Sequence, residues 1–381
     1  MIRAPFDSLV GQPLVSQYLS SAMDNRLVKH AYLFVGPLGT GKTEAARAFA
    51  RALVCKKGGC GTCDDCMRAL RGTHPDIKTV EPEGAHGYVT EQIHDLIHDT
   101  NLTPIRAQNK VYIIARADLL KEASANAFLK TLEEPPGSVI FILLARTRES
   151  VLETISSRCQ IIAFKTIPEK EAIDILIGEG KTKQKDARIA LACTGGSLYE
   201  SREFLKSSLR RDARIKVLAA VERLAESDPL DIIESVRELL IFLKQPLDEL
   251  KLAQEQQLVE GKDYLSKGAL SALEQRHKRA LTTRERDAIN EAFNIIRSWL
   301  RDCLLVRIGR EDDIVNTDFV RNIQKAARLW DEAAIVRMMR AVDEGERRIH
   351  YNVSVQSILE ALFLTIHDEA LSQKGRVRPA L

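Results

Sequence analysis

The sequence predicts an α/β domain built on a parallel sheet, followed by an all-helical C-terminal region. Three observations support this fold class. Strand-length apolar runs alternate with amphipathic helical stretches over the first 165 residues, a glycine-rich loop joins one such run to the next helix, and strand-like patterns stop after about residue 166. Strands that alternate with helices are typical of a parallel sheet whose connections are crossover helices.

The elements of the first 165 residues follow from these patterns. Three continuous apolar runs are predicted as buried strands: Ala31–Val35, Val111–Ala115 and Val139–Ala145. The amphipathic stretches beside them are predicted as helices: Thr43–Cys55, Thr90–Thr100 and Ala123–Leu132. Because proline cannot continue a helix, Pro135 and Pro136 are expected to separate the last helix from the last strand.

The chain is predicted to form several domains, because 381 residues exceed what one compact core usually holds. We expect an α/β domain over residues 1–165, a small helical lid over 166–208, a helical domain over 209–370 and a flexible tail over 371–381. Apolar residues recur at three- and four-residue steps twice in the helical domain, which predicts two buried helix faces. These residues are Ile289, Ala292, Phe293, Ile296, Leu300, Cys303 and Leu304, and then Ile358, Leu359, Leu362, Phe363 and Ile366.

Composition excludes several classes of function. The chain has 56 lysines and arginines and 53 acidic residues, and this net charge of +3 gives no overall basic field for binding nucleic acid. The longest apolar runs have the length of a strand, which is far too short to span a membrane. The first residues show no basic-then-apolar leader. These features predict a soluble, cytoplasmic protein.

The glycine-rich loop, Gly36–Thr43, fits the pattern G-x-x-x-x-G-K-[ST] between a predicted strand and a predicted helix. Such a loop cradles phosphates with its backbone N–H groups, while the lysine reaches the terminal phosphates and the threonine helps to hold magnesium. The candidate residues for binding ATP and Mg²⁺ are therefore Gly36, Gly39, Thr40, Gly41, Lys42 and Thr43. A chance glycine-rich turn, or a loop that keeps its fold but binds nucleotide poorly, is the alternative.

Four of the seven cysteines lie close together, at positions Cys55, Cys60, Cys63 and Cys66. Four thiolates can complete the tetrahedral shell of a structural zinc ion, and the glycines between them allow the tight turns of a small module. The spacing therefore predicts a zinc module over residues 55–66. Free buried cysteines, or a redox switch built from the C-x-x-C spacings, are the alternatives. His74 is expected to pack or hydrogen-bond rather than to bind the metal.

The residues that would support hydrolysis at the phosphate loop are missing. A hydrolysing protein of this kind carries acids at the end of a second strand, where they help to hold magnesium and orient the attacking water. The second strand here is followed by Ala115 and Arg116, which can do neither. Asp118 lies farther along and is expected to begin or cap the next helix; its rescue of hydrolysis is the alternative.

Further motifs accompany these features, in the order Val10-Gly11-Gln12, His30–Phe34, the phosphate loop, the four cysteines, Gly72–Asp76, Asn126–Pro136 and Ser157-Arg158-Cys159. Together they resemble bacterial clamp-loader subunits of the AAA+ class over residues 5 to 207. The resemblance implies an α/β AAA+ phosphate-loop domain with a zinc knuckle, a small helical lid, and an all-α C-terminal collar domain through which subunits assemble.

Four departures separate this chain from the ATP-hydrolysing members of that family. It has Ala4–Phe6 where they have Tyr-Arg-Pro, Ala115-Arg116 where they have Asp-Glu, Leu144–Arg146 where a polar residue follows the strand, and Tyr199 where their lid has an arginine. The resemblance therefore implies a subunit of the DNA polymerase III clamp loader without ATPase activity of its own. Its implied partners, at a nucleoid-associated replisome, are the gamma/tau and delta subunits, the beta sliding clamp and primed DNA.

The family also suggests a catalytic role for one arginine. Its members donate the arginine of the Ser-Arg-Cys element across a subunit interface to ATP held by a neighbour. Arg158 is therefore the candidate arginine finger, acting in trans, since a guanidinium offers planar and permanent charge to a phosphoryl group. A surface arginine paired with a local acid is the alternative. Glu133 and Glu134 are expected to form a solvated helix end without a catalytic role.

Two other functions stay open at this point. An ATP-hydrolysing gamma/tau-type subunit is favoured by the phosphate loop and opposed by Ala115, Arg116 and Tyr199. A zinc-containing DNA-binding regulator would need a recognition helix rich in base-reading side chains, and none follows from the sequence beside the cysteines.

Overall fold

The computed structural model describes residues 4–6, 9–82, 87–180, 182–261, 267–349 and 353–374. The chain divides into two compact units, Met1–Ile175 with Ser197–Tyr199, and Leu176–Gly196 with Glu200–Leu381. The segment predicted as a lid, 166–208, contributes residues to both units.

A five-stranded parallel sheet forms the centre of the first unit. Its strands are β1 (Ala31–Val35), β2 (Ile77–Val80), β3 (Lys110–Ile114), β4 (Val139–Ala145) and β5 (Gln160–Ala163). They lie side by side in the order β2-β3-β4-β1-β5, and each neighbouring pair is parallel. The three predicted strands are confirmed, although β3 begins and ends one residue earlier than expected; β2 and β5 were not predicted.

Helices cover both faces of this sheet. They are α1 (Pro13–Asp24), α2 (Lys42–Val54), α3 (Asp64–Leu70), α4 (Thr90–Thr100), α5 (Glu122–Glu133) and α6 (Glu153–Ser156). Helix α2 buries a row of alanines in one core together with α1, and α4 and α5 line the core on the opposite face. The three predicted helices are confirmed: α4 has the expected bounds, and the ends of α2 and α5 each differ by one residue.

The remaining elements are helical, as predicted. They are α7 (Glu169–Glu179), α8 (Gln184–Cys193), α9 (Leu198–Lys206), α10 (Ser208–Arg223), α11 (Pro229–Gly261), α12 (Lys267–Arg307), α13 (Val320–Leu329), α14 (Glu332–Arg348) and α15 (Val355–Lys374). Gly195 and Gly196 form a turn after α8 with φ angles of 62° and 82°. Helix α15 includes residues 371–374 of the predicted tail, and the rest of that tail, 375–381, lies outside the described residues.

The second unit is held by one large apolar core. Both predicted helix faces are buried in it on α12 and α15, with Leu304 half-buried at its edge. Trp299 and Trp330 are also buried there, at 0% and 2% exposure, so they serve as core residues rather than as platforms for nucleic-acid bases. None of the described helices is both long and apolar enough to cross a bilayer.

A buried polar network crosses this core. The carboxylate of Asp302, which is fully buried, accepts hydrogen bonds from the backbone N–H groups of Val315 and Asn316 and from the side-chain amide of Asn316. Arg214 donates to Asp318 at 2.6 Å and to the side-chain oxygen of Asn316 at 2.7 Å. Because buried polar groups need partners, this network anchors the loop before α13 to α10 and α12.

Candidate functional site

The phosphate loop lies between the end of β1 and the start of α2, as the sequence predicted. Gly39 and Gly41 have φ angles of 79° and 83°, in the region that favours glycine. A Cβ on Gly36 would come within 2.6 Å of the carbonyl oxygen of Phe164. Gly41 precedes α2 without a capping side chain. The first backbone N–H groups of α2 are therefore available to an anion.

Lys42 is the charged group of this loop. Its Nζ donates hydrogen bonds to the carbonyl oxygens of Gly36 and Pro37, the latter at 2.6 Å. Burial lowers the pKa of Lys42 to about 8, an effect that the carboxylate of Glu44 opposes and the guanidinium of Arg146 reinforces. The ammonium group of Lys42 therefore contacts the backbone of the loop. A bound phosphate would compete with the two carbonyl oxygens for its hydrogen bonds.

Gln12 braces the loop from the neighbouring edge of the sheet. Its amide nitrogen donates to the carbonyl oxygens of Thr40 and Lys165 at 3.2 and 2.6 Å, and its amide oxygen accepts the backbone N–H of Lys165. The Thr40 hydroxyl is turned inward and donates to the carbonyl oxygen of Pro37 at 2.9 Å, so Thr40 offers a ligand only its backbone. The side chain of Thr43, in contrast, is exposed at the start of α2.

The end of β3 carries an arginine–aspartate pair where magnesium-binding acids would lie. Arg116 has a φ angle of 52°, and its guanidinium binds both carboxylate oxygens of Asp118, with the closest contact at 3.1 Å. Asp118 is the middle residue of a short 3-10 helix, Ala117–Leu119. The expectation that Asp118 begins or caps the next helix is wrong, because Arg116 caps the 3-10 helix and α5 begins at Glu122 after Lys121. Magnesium needs oxygen ligands that are available to it. The Arg116 guanidinium, and the Asp118 carboxylate that is already paired with it, therefore do not fit a magnesium site.

Arg146 lies directly after β4, beside the phosphate loop. Strands β1 and β4 pair in register as far as Val35 and Ala145, and the carbonyl oxygen of Arg146 accepts the backbone N–H of Gly36 at 3.1 Å. The side chain of Arg146 is exposed. A cationic side chain thus follows each of three adjacent strands. Arg116 follows β3, Arg146 follows β4, and Lys42 lies at the end of the phosphate loop that follows β1.

The four cysteines come together as the sequence predicted. Their Sγ atoms all lie within 4.8 Å of one another, with Cys55 at 3.8 Å from Cys60 and at 3.7 Å from Cys63. A tetrahedral zinc ion with Zn–S bonds of about 2.3 Å would separate its sulfurs by about 3.8 Å. Four cysteines are therefore positioned to bind one metal ion.

The local structure explains how these thiols converge. Cys55 follows the last residue of α2, and Cys63 caps α3, where its sulfur accepts the backbone N–H of Cys66 at 3.4 Å. Hydrogen bonds from the backbone and hydroxyl of Thr62 lower the pKa of Cys60 to about 5. A thiolate is the form of cysteine that binds metal, and the surroundings of Cys60 favour that form, whereas burial raises the pKa of Cys66.

Residues Gly72–Asp76 anchor this module to the α/β domain. The buried carboxylate of Asp76 accepts the backbone N–H groups of Ile105, Arg106 and Ala107 at 2.6 to 2.8 Å. Arg106 in turn forms ion pairs with two acids at the start of α3, Asp64 and Asp65. His74, at 3% exposure, accepts the backbone N–H of Asp76 at 3.1 Å through Nδ1, which confirms that it packs and hydrogen-bonds.

Arg158 lies between α6 and β5. Its Nε and Nη2 donate to one carboxylate oxygen of Glu133, the Nε contact being 2.7 Å, and its Nη1 donates to the carbonyl oxygen of Thr154. The pairing with a local acid that the sequence left open is therefore present in the isolated chain. About a third of the Arg158 side chain, 34%, stays exposed. Glu133 and Glu134 are exposed at the end of α5, as expected.

Sequence reasoning did not find the roles of Gln12 and Asp76. Both residues belong to motifs that were noticed only for their resemblance to a family, and neither the bracing of the loop nor the anchoring of the cysteine module has a local signal. Each acts on backbone groups at least 28 residues away in the chain, Gln12 on Thr40 and Asp76 on Ile105. A buried Asp or Gln in a short motif is the hint that could have indicated such contacts.

Comparison with the sequences of known proteins gives matches to subunits of DNA polymerase III. A family model described as "DNA polymerase III, delta subunit" matches residues 11–168. DNA polymerase III subunit delta' of Bacillus subtilis (strain 168) is 28% identical over 360 residues, which cover 94% of this chain and 96% of that protein.

Two further matches cover the chain or the relative less completely. DNA polymerase III subunit tau of the same organism is 31% identical over 270 residues, which cover 63% of this chain and 47% of the relative. Among solved structures, a DNA polymerase III gamma subunit-related protein of Thermotoga maritima aligns over 92% of this chain and 99% of that chain, with 16% identity and a TM-score of 0.43. The sequence matches confirm the resemblance that the motifs indicated.

Proposed function

We propose that this chain belongs to the family of DNA polymerase III clamp-loader subunits, to which it is similar in sequence, and that it serves as a delta' subunit that supports ATP-dependent loading of the beta sliding clamp onto primed DNA without hydrolysing ATP itself. The observation that carries the proposal is a complete phosphate loop beside a strand end that cannot hold magnesium. The match to a delta' subunit over 94% of the chain supports the same assignment.

The absence of hydrolysis follows from the residues around the loop. Hydrolysis needs a metal ion that neutralises the developing charge and a group that orients the attacking water. Ala115 offers no side-chain ligand, and Arg116 adds positive charge where a dication would bind. Asp118 already accepts the Arg116 guanidinium through both oxygens, which argues against its rescue of the reaction. The loop would then hold a nucleotide without turning it over.

In the assembled loader, Arg158 would act on ATP bound by a neighbouring subunit. The guanidinium is partly exposed, and its partner Glu133 is itself exposed at the end of α5. An exposed ion pair of this kind contributes no more than about 1 kcal/mol, so a phosphoryl group with higher negative charge can replace the carboxylate. Phosphoryl transfer gains strongly from a trans-acting arginine.

The other parts of the chain would serve assembly. We propose that the helices of residues 209–370 form a collar that joins this subunit to gamma/tau and delta, and that residues 166–208 act as the lid. The four-cysteine module would hold a structural zinc ion with no open position for catalysis. These roles place the protein at the cytoplasmic, nucleoid-associated replisome.

Reconstitution tests the proposed function. Gamma/tau, delta and the beta clamp are combined with primed DNA and ATP, with or without this chain, and clamp retained on DNA is measured. We expect loading only when the chain is present, and the same loading with the variant Lys42→Ala, because the chain's own loop does no hydrolysis. Loading that proceeds without the chain, or that needs Lys42 for ATP turnover, would reject the proposal.

A second function is favoured by one observation. The chain is 31% identical to a tau subunit over 270 residues and carries a complete phosphate loop, so an ATP-hydrolysing gamma/tau-type subunit is the alternative. The purified chain, mixed with the beta clamp and primed DNA alone, distinguishes the two. Clamp-stimulated phosphate release that disappears in Lys42→Ala would establish the alternative, whereas no release supports a delta' role.

A further inference from the structure

The carboxyl edge of the sheet places three cations around the phosphate loop. Strands β3, β4 and β1 are neighbours in that order, and Arg116, Arg146 and the loop with Lys42 follow them. Arg146 is joined to the loop directly, since its carbonyl oxygen accepts the Gly36 N–H. Because parallel strands end at the same edge, the three side chains belong to one binding surface.

The charges of this surface are only partly compensated. Among the residues that the structure describes, no carboxylate forms an ion pair with Lys42 or with Arg146, whereas Arg116 pairs with Asp118 at 3.1 Å. Glu44 and Asp118 are the acids whose fields reach Lys42. The backbone N–H groups at the start of α2 add further positive potential. The surface is therefore complementary to a polyanion.

The same surface opposes a divalent cation. Magnesium at a phosphate loop is held by the loop hydroxyl and by an acid at the end of a neighbouring strand. Thr43 is present, but the acid is not: the positions after β3 are Ala115 and Arg116, and the Asp118 carboxylate is neutralised by Arg116. A guanidinium, in contrast, presents planar donors that match the geometry of phosphate oxygens.

We propose that the loop of this chain binds a nucleoside di- or triphosphate without magnesium, and that Arg146 supplies the positive charge that the metal supplies in hydrolysing relatives, while Arg116 compensates the charge of Asp118. This inference rests on the proposed function, because a subunit that hydrolyses its own ATP would need the metal. It makes the retained loop a site that holds a nucleotide without hydrolysing it. Arg146 contacts phosphate, and Arg116 pairs with the Asp118 carboxylate, which is then not available to a metal ion.

Isothermal titration of the purified full-length chain with ATP and with ADP, in excess EDTA or in excess magnesium chloride, tests the proposal. We expect the dissociation constant in EDTA to equal or lie below the value in magnesium. Arg146→Ala should weaken binding in EDTA at least about tenfold, as expected for the loss of a charge-assisted contact. Arg148→Ala removes an exposed arginine two positions along the same loop and should leave the affinity unchanged.

Arg116→Ala gives the sharper result. Without the guanidinium, the Asp118 carboxylate is free, so binding should weaken in EDTA and recover when magnesium is added. Thermal melting of each variant without nucleotide shows whether the fold is kept. Wild-type binding that falls tenfold or more in EDTA would overturn the proposal, as would no binding in either condition or equal effects of Arg146→Ala and Arg148→Ala.

These outcomes are separable from failure of the proposed function. Clamp loading by the reconstituted complex depends on Arg158 and on assembly, and nucleotide binding by the isolated chain measures neither. A chain that supports loading but binds nucleotide only with magnesium overturns this inference and leaves the delta' role standing.

Discussion

The Nε atom of Arg158 donates a hydrogen bond to Oε1 of Glu133 at 2.7 Å, across 25 residues of sequence. The contact joins the segment before β5 to the end of α5, and a second hydrogen bond from Nη1 to the carbonyl oxygen of Thr154 fixes the plane of the guanidinium. The guanidinium of Arg158 is thus oriented by contacts within the chain. If Arg158 has the proposed trans role, orientation in advance would lower the entropic cost of placing it at a neighbouring ATP.

Arg158→Ala should slow ATP hydrolysis at the site of the neighbouring subunit. Removal of a trans-acting arginine costs about 10³-fold or more in the rate at the site that it serves. Only one ATP site of the loader loses its arginine. The steady-state ATP turnover of the whole loader should therefore fall by the fraction that this site contributes. Single-turnover hydrolysis by the reconstituted loader measures the effect, with Arg148→Ala as the control. Equal rates for the two variants would remove the trans role of Arg158.

The cysteine module should contain zinc. We expect about one zinc ion per purified chain, and Cys60→Ser should lose the ion and lower the melting temperature, because metal binding and folding of such a module are coupled. Cys159→Ser changes a half-buried thiol outside the cluster and should keep the zinc. Metal analysis and calorimetric melting measure both. A chain without zinc, but with disulfides among the four cysteines, would support a redox switch instead.

Nucleotide binding should depend on pH through Lys42. The folded protein has a Lys42 pKa of about 8, below its ordinary value, because of burial. The charged form binds phosphate, so affinity is full below that pKa and is lost as the pH rises through it, by about tenfold at pH 9. The charged groups that act on Lys42 are Glu44, Arg146 and Asp118. The phosphates, with a second pKa of about 6, are already ionised.

Lys42→Arg is the control for this titration. A guanidinium stays charged throughout the range, so titration of nucleotide into this variant between pH 7 and 9 should give a constant affinity. A wild-type affinity that is equally constant would mean that Lys42 does not contact the phosphates.

Asp302→Ala should strongly destabilise the second unit. The substitution removes the acceptor of two backbone N–H groups and of the Asn316 side-chain amide, all within the core. Leaving buried donors without acceptors costs about 1–3 kcal/mol each, so the free energy of unfolding should fall by at least about 3 kcal/mol. Urea denaturation measures the change. Asp312→Ala removes an exposed acid and should alter stability by less than about 0.5 kcal/mol; similar losses in both variants would contradict the role of the network.

Burial decided which strands could be found in the sequence. Strands β1, β3 and β4 are covered on both faces, and every residue in them is buried, so each appears as a continuous apolar run. The edge strands β2 and β5 are four residues long and partly exposed. Polar residues such as Lys78 and Gln160 are tolerated there, because one side of an edge strand meets solvent, and the apolar pattern is lost.

The candidate site also contains some features that can be found in the sequence and others that cannot. The loop, the four cysteines and the replacement of acids by Ala115 and Arg116 are contiguous in the chain, and each carries its chemistry in residue type and spacing. The pairing of Arg158 with Glu133 and the proximity of Arg146 to Lys42 join residues that lie far apart in sequence. Such contacts exist only once β4 lies beside β1 and the segment before β5 lies beside α5.

The sequence by itself therefore determined the fold class, the phosphate loop, the four-cysteine cluster and the resemblance to a family, because all of these depend on local patterns of burial, turn and residue spacing. Only the tertiary structure decided how the loop is surrounded: which strand ends meet, which charges are compensated, and which arginine is held by an acid. The physical reason is that electrostatic complementarity depends on distances in space, and the order of the strands across the sheet differs from their order along the chain.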